Sequence, residues 1–278
     1  MSNLSLAGFT FAGESVAGIG TAIAVRELRL CFDLGHLCPA VLSSPNIFLS
    51  HAHTDHCGEV MNYLATRALE NRDLATLFVP PSMAAPLAAL LSDWQKMSAS
   101  KFDYRIVMAC PGAPLPLRSS ITVTPFELSH LPETQGYLVE ESVRKLRPEF
   151  RHLSEEEIVQ KKGLPDFDRM FEIRCRPLVT FVPDTLPEGL DSLPEAAWRS
   201  RVLFVESSFL DDRKPIEAVR KGRHLVLDDI AARLDRFEGE HLVLFHFSRI
   251  YAPDEIEALV ASRLPEHHRN KVVCFITR

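Results

Sequence analysis

Three imidazoles and a carboxylate lie within six residues in the stretch Ser50-His51-Ala52-His53-Thr54-Asp55-His56-Cys57, directly after the apolar run Ile47-Phe48-Leu49. Residues two apart in an extended chain point the same way, so His51 and His53 can grip one metal ion together. Asp55 and His56 follow the turn and can face a second ion. Imidazole and carboxylate suit zinc, and also manganese or iron. The chain has only 11 histidines in 278 residues, so three within six is a poor match to chance. A purely structural loop would have to pack all of these polar rings at one strand end for no return.

The elements that must position this cluster are legible in outline. The first thirty residues read as a β meander, with runs at Phe9–Ala12, Thr21–Val25 and Leu28–Phe32 broken by Gly13, Gly18 and Gly20. Strand then alternates with helix. Ile47–Leu49 precedes a helical spacing over 58–64, and Leu77–Val79 precedes an apolar helix ending near Met97. Val202–Val205 reads as a strand, Leu242–Phe247 precedes a helix over Pro253–Leu264, and Val272–Ile276 closes as a strand. Sheets covered by helices are the expected α/β architecture. Residues 140–176 are dense in charge and poor in alternation, and read as an exposed helical insertion without a core of its own. Ser154 and Glu157 form a capping-box signature within it.

Composition bounds the rest. Apolar residues at 46% and charged residues at 24% are ordinary globular values and exclude disorder, collagen and coiled coil. The net charge of −6 gives no global basic field, so a nucleic acid would need a local patch. Six scattered cysteines without a C-x-x-C pair suit reduced thiols in a cytoplasm. The first residues lack the pattern of a signal peptide. The apolar stretch Ala75–Leu91 is broken by Pro80, Pro81 and Pro86, so no membrane association is expected.

H-A-H-T-D-H matches the H-x-H-x-D-H signature of the metallo-β-lactamase superfamily. That resemblance implies an αββα sandwich, two β-sheets covered by helices, as one domain over 1–278 with the insertion at about 140–176. It also implies an isolated His, an Asp and a last His, each at a strand end. His130 in F-E-L-S-H, Asp184 in T-F-V-P-D-T and His246 in L-V-L-F-H-F-S come in that order. Further stretches resemble ribonuclease Z and its relatives. Ser129-His130 with Gly136-Tyr137, Pro183-Asp184-Thr185, Glu206-Ser207-Ser208-Phe209, His246-Phe247-Ser248-Arg249-Ile250-Tyr251 and the early Asp33-Leu34-Gly35 carry that likeness. The chain departs from the family pattern at His36, where the family has Glu, and at Pro183, which stands for a glycine. It departs again in 140–176, which holds a single glycine, Gly163, where the family inserts a Gly-Pro-rich basic arm. That departure favours a small or non-tRNA substrate.

The resemblance implies His51, His53 and His130 around one divalent ion, Asp55, His56 and His246 around a second, and Asp184 bridging them. Two such ions about 3.5–4 Å apart share a hydroxide nucleophile, which Asp55 can help to orient. His224, which falls where the family places an outer His, is the candidate for stabilising or protonating the leaving oxygen. Glu206 is the candidate for orienting His224. Asp33 is expected to hold the His loop, and Cys57 to be a small buried residue. His36 and Cys38 have no assigned role. His267-His268 and the acidic run 155–157 read as solvated, and Trp94 and Trp198 as core or interface anchors.

The expected activity is therefore a zinc-dependent phosphodiesterase acting on nucleic acid or a nucleotide. The alternatives are a hydrolase of a thioester, lactone or β-lactam, an iron-dependent persulfide dioxygenase, and a binding protein that keeps the fold without turnover. A homodimer is compatible with the family resemblance.

Overall fold

The computed structural model describes residues 2–277. One sheet runs in the order β1 (Ser2–Leu6), β2 (Phe9–Val16), β3 (Gly20–Val25), β4 (Leu30–Phe32), β5 (Asn46–Phe48), β6 (Ala75–Val79) and β7 (Tyr104–Met108). The other contains β8 (Leu115–Arg118), β9 (Ile121–Leu128), β10 (Thr134–Leu146), β11 (Phe171–Val182), β12 (Val202–Glu206), β13 (His241–Phe245) and β14 (Val272–Cys274), again side by side in chain order. Each begins antiparallel and ends parallel, from β4 onward in the first and from β11 onward in the second.

The apolar runs lack polar alternation because both faces of these strands are covered. Phe9, Phe11, Ile23, Val25, Phe48, Phe204 and Phe245 point between the sheets. Their neighbours in sequence point outward to helices: Ala22, Ala24, Ile47 and Leu49 on one side, Leu203, Val205, Leu242 and Leu244 on the other. Phe32 stacks on Phe181 at 4.8 Å across the interface, and Phe11 meets Phe204 at 4.8 Å. Each such ring contributes about 1.5–3 kcal/mol by leaving water. Helices Val60–Leu69 and Pro81–Ser98 cover the first sheet through Val60, Tyr63, Leu64, Leu87 and Leu91. Ile256–Arg263 covers the second through Ile256 and Val260. This is the αββα sandwich that the sequence implied. No described helix is long and apolar enough to cross a membrane.

Residues 140–176 correct the expectation of a helical insertion. β10 and β11 run on past the sheet as a two-stranded ribbon, from Ser142 opposite Cys175 to Leu146 opposite Phe171. Helix is confined to the tip, at Glu155–Gln160 with 3₁₀ turns at Pro148–Phe150 and Asp168–Met170. A ribbon wetted on both faces needs no apolar side, which removes the period-two signal. Cross-strand pairs hold it instead. Arg176 bonds Glu141, and the Arg144 guanidinium lies 4.0 Å from the Phe171 ring. The tip also encloses more apolar surface than expected: Phe150, Leu164, Phe167 and Met170 line a cleft of about 570 Å³. The capping box of Ser154 and Glu157 forms as read. Trp198 is a core residue, whereas Trp94 is 38% exposed.

Close backbone approach explains the early Asp-x-Gly element. Leu34 N donates to His56 O at 2.7 Å and Glu59 N to Leu34 O at 2.9 Å, strapping the loop after β4 to the His loop. A Cβ on Gly35 would lie 1.8 Å from the Asp55 carbonyl oxygen. Gly35→Ala must therefore push that loop away. The expected cost is about 1–3 kcal/mol, read as a lower urea midpoint.

Candidate metal centre

Most of the chemical residues singled out in the sequence sit at, or just beyond, the end of a strand, while Asp55 and His56 lie on the short helix Thr54–Cys57 that His53 precedes. Asp33 follows β4, His51 follows β5, His130 follows β9, Asp184 follows β11 and His246 follows β13, while Glu206 is the last residue of β12. Parallel register places Phe32 beside Phe48, Val182 beside Val205 and Glu206 beside Phe245, so these ends share one rim of the sandwich. Asp33 and His246 adopt φ of 58° and 64°, a left-handed backbone that turns each side chain sharply out of its strand.

Two donor groups result. In the first, His53 Nδ1 lies 3.0 Å from His51 Nε2 and 3.5 Å from His130 Nε2. In the second, His56 Nε2 lies 3.1 Å from His246 Nε2, with Asp55 Oδ2 at 3.7 and 3.5 Å from them. Asp184 stands between the groups, its Oδ2 3.8 Å from His51, 3.9 Å from His130 and 3.5 Å from His56. Ligands about 2.1 Å from a tetrahedral ion stand about 3.4 Å apart, so both groups have the spacing of a metal cage. The environment of Asp184 supports that fit. Its Oδ1 is buried without a hydrogen bond, although His246 Nδ1 is 3.2 Å away, because that nitrogen serves Ser208. A buried carboxylate oxygen left unpaired is costly unless a cation meets it.

The far nitrogens of four histidines are held, which fixes their tautomers and aims. His51 Nδ1 meets Ser50 Oγ at 2.9 Å, and His56 Nδ1 donates to Asp33 Oδ2 at 2.7 Å. His130 Nδ1 donates to the Arg223 carbonyl at 2.9 Å, and His246 Nδ1 to Ser208 Oγ at 3.0 Å. Asp33 also accepts from the Ser50 amide and hydroxyl, as expected of a residue that holds the His loop. The Gly18 amide donates to Asp55 Oδ2 at 2.7 Å. Ser208 and Gly18 were not foreseen, because their partners are remote in sequence. The hint for Ser208 was a hydroxyl two residues past a strand-end acid.

Glu206 is fully buried and works harder than expected. Its carboxylate accepts from the Ser208 amide and hydroxyl and from Leu225 N, and its Oε1 lies 3.4 Å from His224 Nδ1. It thus orients His224 directly and His246 through Ser208. Glu206→Gln leaves at least one of these buried donors without an acceptor, costing about 1–3 kcal/mol. Turnover should fall about 10–100-fold, with denaturation midpoint and steady-state rates as the readouts.

Electrostatics follow the same geometry. Burial alone would raise Asp184, but His246 and His56 hold it well below the carboxylate range. Burial likewise opposes ionisation of Asp55, which His246 and His56 hold down. Burial would strip His56 of its proton, yet Asp184 and Asp33 lift it well above its ordinary value. His51 is driven well down, by burial first and then by His56. His224 rises to about 9, because Glu206 and then Asp184 outweigh its burial. Cys57 is pushed up to about 12 by burial, which leaves an inert thiol. His36 pairs instead with Glu14 at 3.4 Å.

Among solved structures, human tRNase Z, short form, aligns with a TM-score of 0.60 at 18% identity, over 87% of this chain and 92% of that one. The metallo-β-lactamase fold protein YhfI of Bacillus subtilis aligns at 0.59 and 14% identity, over 94% and 92%. The stacked sheets and the His/Asp cage at their rim define a protein of the metallo-β-lactamase fold with a divalent-metal site. No family model matches the chain. The protein named tRNase Z TRZ1 of Arabidopsis thaliana is 31% identical over 265 residues, covering 94% of this chain and 93% of its own length. The chloroplastic tRNase Z TRZ2 of the same plant is 30% identical over 260 residues, 92% of this chain and 72% of its own. The chain belongs to the ribonuclease Z family and is a ribonuclease Z-like, metal-dependent hydrolase.

Proposed function

We propose that this protein is a binuclear zinc phosphodiesterase that cleaves RNA, with tRNA precursors as the first substrate to try. The observation that carries the reading is the placement of Asp184 between two complete donor groups, with His224 and its buried Glu206 partner beside them. His51 Nε2, His53 Nδ1 and His130 Nε2 would hold one ion. Asp55 Oδ2, His56 Nε2 and His246 Nε2 would hold the other. Divalent ions bound there supply water with a pKa near neutrality and neutralise charge on the phosphoryl oxygens. Asp55, steadied by the Gly18 amide, keeps an acceptor aimed into the cage. His224 turns Nδ1 toward Glu206, which leaves Nε2 as the nitrogen to deliver a proton to the departing oxygen. With its pKa near 9, that proton is present at neutral pH.

The mixed charge of residues 140–176, nine acidic and nine basic, argues for a small substrate. The two relatives named tRNase Z, and the arm those residues build, weigh more and support RNA. A reducing compartment such as the cytoplasm suits the free thiols. Leu90, Trp94 and Met97, exposed at helical spacing, offer a face on which two copies could pair.

The test is hydrolysis by zinc- or manganese-loaded protein of a tRNA precursor with a 3′ extension and of bis-(p-nitrophenyl) phosphate. Both should be cleaved. Metal-loaded protein inert toward both, yet active on a thioester or lactone, would replace this reading with the other hydrolase class.

A further inference from the structure

A second meeting of imidazole and carboxylate lies far from the cage. The turn Leu234–Arg236 leads toward the start of β13, and the 3₁₀ segment Glu266–Lys271 leads directly into β14. His246 follows the other end of β13, so the two sites are separated by the length of that strand.

Successive residues of a 3₁₀ segment point about 120° apart, so adjacent histidines ordinarily face different ways. Here His267 and His268 converge. Their Nε2 atoms lie 3.8 and 2.7 Å from the same oxygen, Asp235 Oδ1, and their rings are 4.1 Å apart. All three donor atoms lie within 4.8 Å of one another. The chain has 31 Lys and Arg, yet among the described residues the ion pairs of Asp235 are to these two imidazoles. His268 was expected to be solvated, but its side chain is only 14% exposed, so one donor is already set in place. Asp235 is 92% exposed, and its carboxylate can turn once an ion takes the place of its hydrogen bond to His268. That rotation can bring the donors to the roughly 3.4 Å spacing that an ion with ligands at about 2.1 Å requires.

We propose that His267, His268 and Asp235 form a separate site for a divalent transition metal of the zinc class, with water completing the coordination. The ion clips together the approaches to two adjacent parallel strands and so braces the edge strand β14. Lys271, whose ammonium lies 5.7 Å from the Phe237 ring, already joins the same two segments. A metal bound only by the folded arrangement adds its binding free energy to the local stability of that edge.

The test titrates zinc chloride into metal-stripped full-length protein by calorimetry, comparing wild type with the H267A/H268A and Asp235→Ala variants. Wild type should take up about one equivalent more than either variant, and reconstituted diesterase turnover should be the same in all three. Zinc should slow amide exchange over 266–274 in wild type and leave it unchanged in both variants. Equal zinc uptake by wild type and the double variant, or exchange over 266–274 that ignores zinc in wild type, would overturn the site. Neither outcome bears on the hydrolytic cage, whose own stoichiometry cancels in the comparison.

Discussion

Asp184→Asn is expected to abolish measurable turnover while leaving the fold in place. The amide has the shape of the carboxylate, and the residue is buried at the rim where β11 ends, so packing is retained. What is lost is the one charge shared by both donor groups. Removing an outer partner of a metal ligand already costs about 10–100-fold. Losing the shared ligand should exceed that, at about 10³-fold or more, with metal content falling in parallel. Circular dichroism unchanged from wild type, beside lost zinc and lost diester hydrolysis, is the expected set of results. Retention of full metal content and rate would remove Asp184 from its bridging position.

The second large effect separates acid catalysis from metal chemistry. His224→Ala removes the nitrogen that Glu206 and Asp184 keep protonated. A general acid contributes about 10²–10⁴-fold, but only where the departing oxygen needs a proton. An RNA alkoxide does, so cleavage of RNA should fall by that factor. p-Nitrophenolate is a weakly basic leaving group, so hydrolysis of bis-(p-nitrophenyl) phosphate should fall by less than about tenfold. Equal losses on both substrates would instead mean that His224 acts by holding the cage together.

The amount legible in the sequence differs from residue to residue for physical reasons. His51, His53, Asp55 and His56 are adjacent, so their density alone announced chemistry. His130, Asp184 and His246 are single polar residues after apolar runs, and each taken alone resembles many structural strand ends. They were readable only as a set, through the family likeness, and parallel register is what brings them together. The sandwich itself was legible because its strands are buried on both faces and read as short unbroken apolar runs. The arm was misread for the opposite reason. Strand residues such as Arg144, Lys145, Arg174 and Arg176 face water, so the segment shows neither an apolar face nor an alternation. Ser208 and Gly18 could not be found, because hydrogen bonds across 38 and 37 residues leave no local pattern. The same holds for His268, whose partner Asp235 lies 33 residues earlier.

In the proposed centre, seven side chains gathered from distant stretches of the chain enclose a pair of divalent ions. Anomalous scattering at the zinc edge, from crystals of the full chain grown with zinc, tests this most directly. The expected result is two peaks about 3.5–4 Å apart. One should lie within bonding reach of His51, His53 and His130, the other within reach of Asp55, His56 and His246, with Asp184 touching both. A zinc-replete crystal with no peak among these residues, or with a single peak that leaves one group empty, would contradict the account.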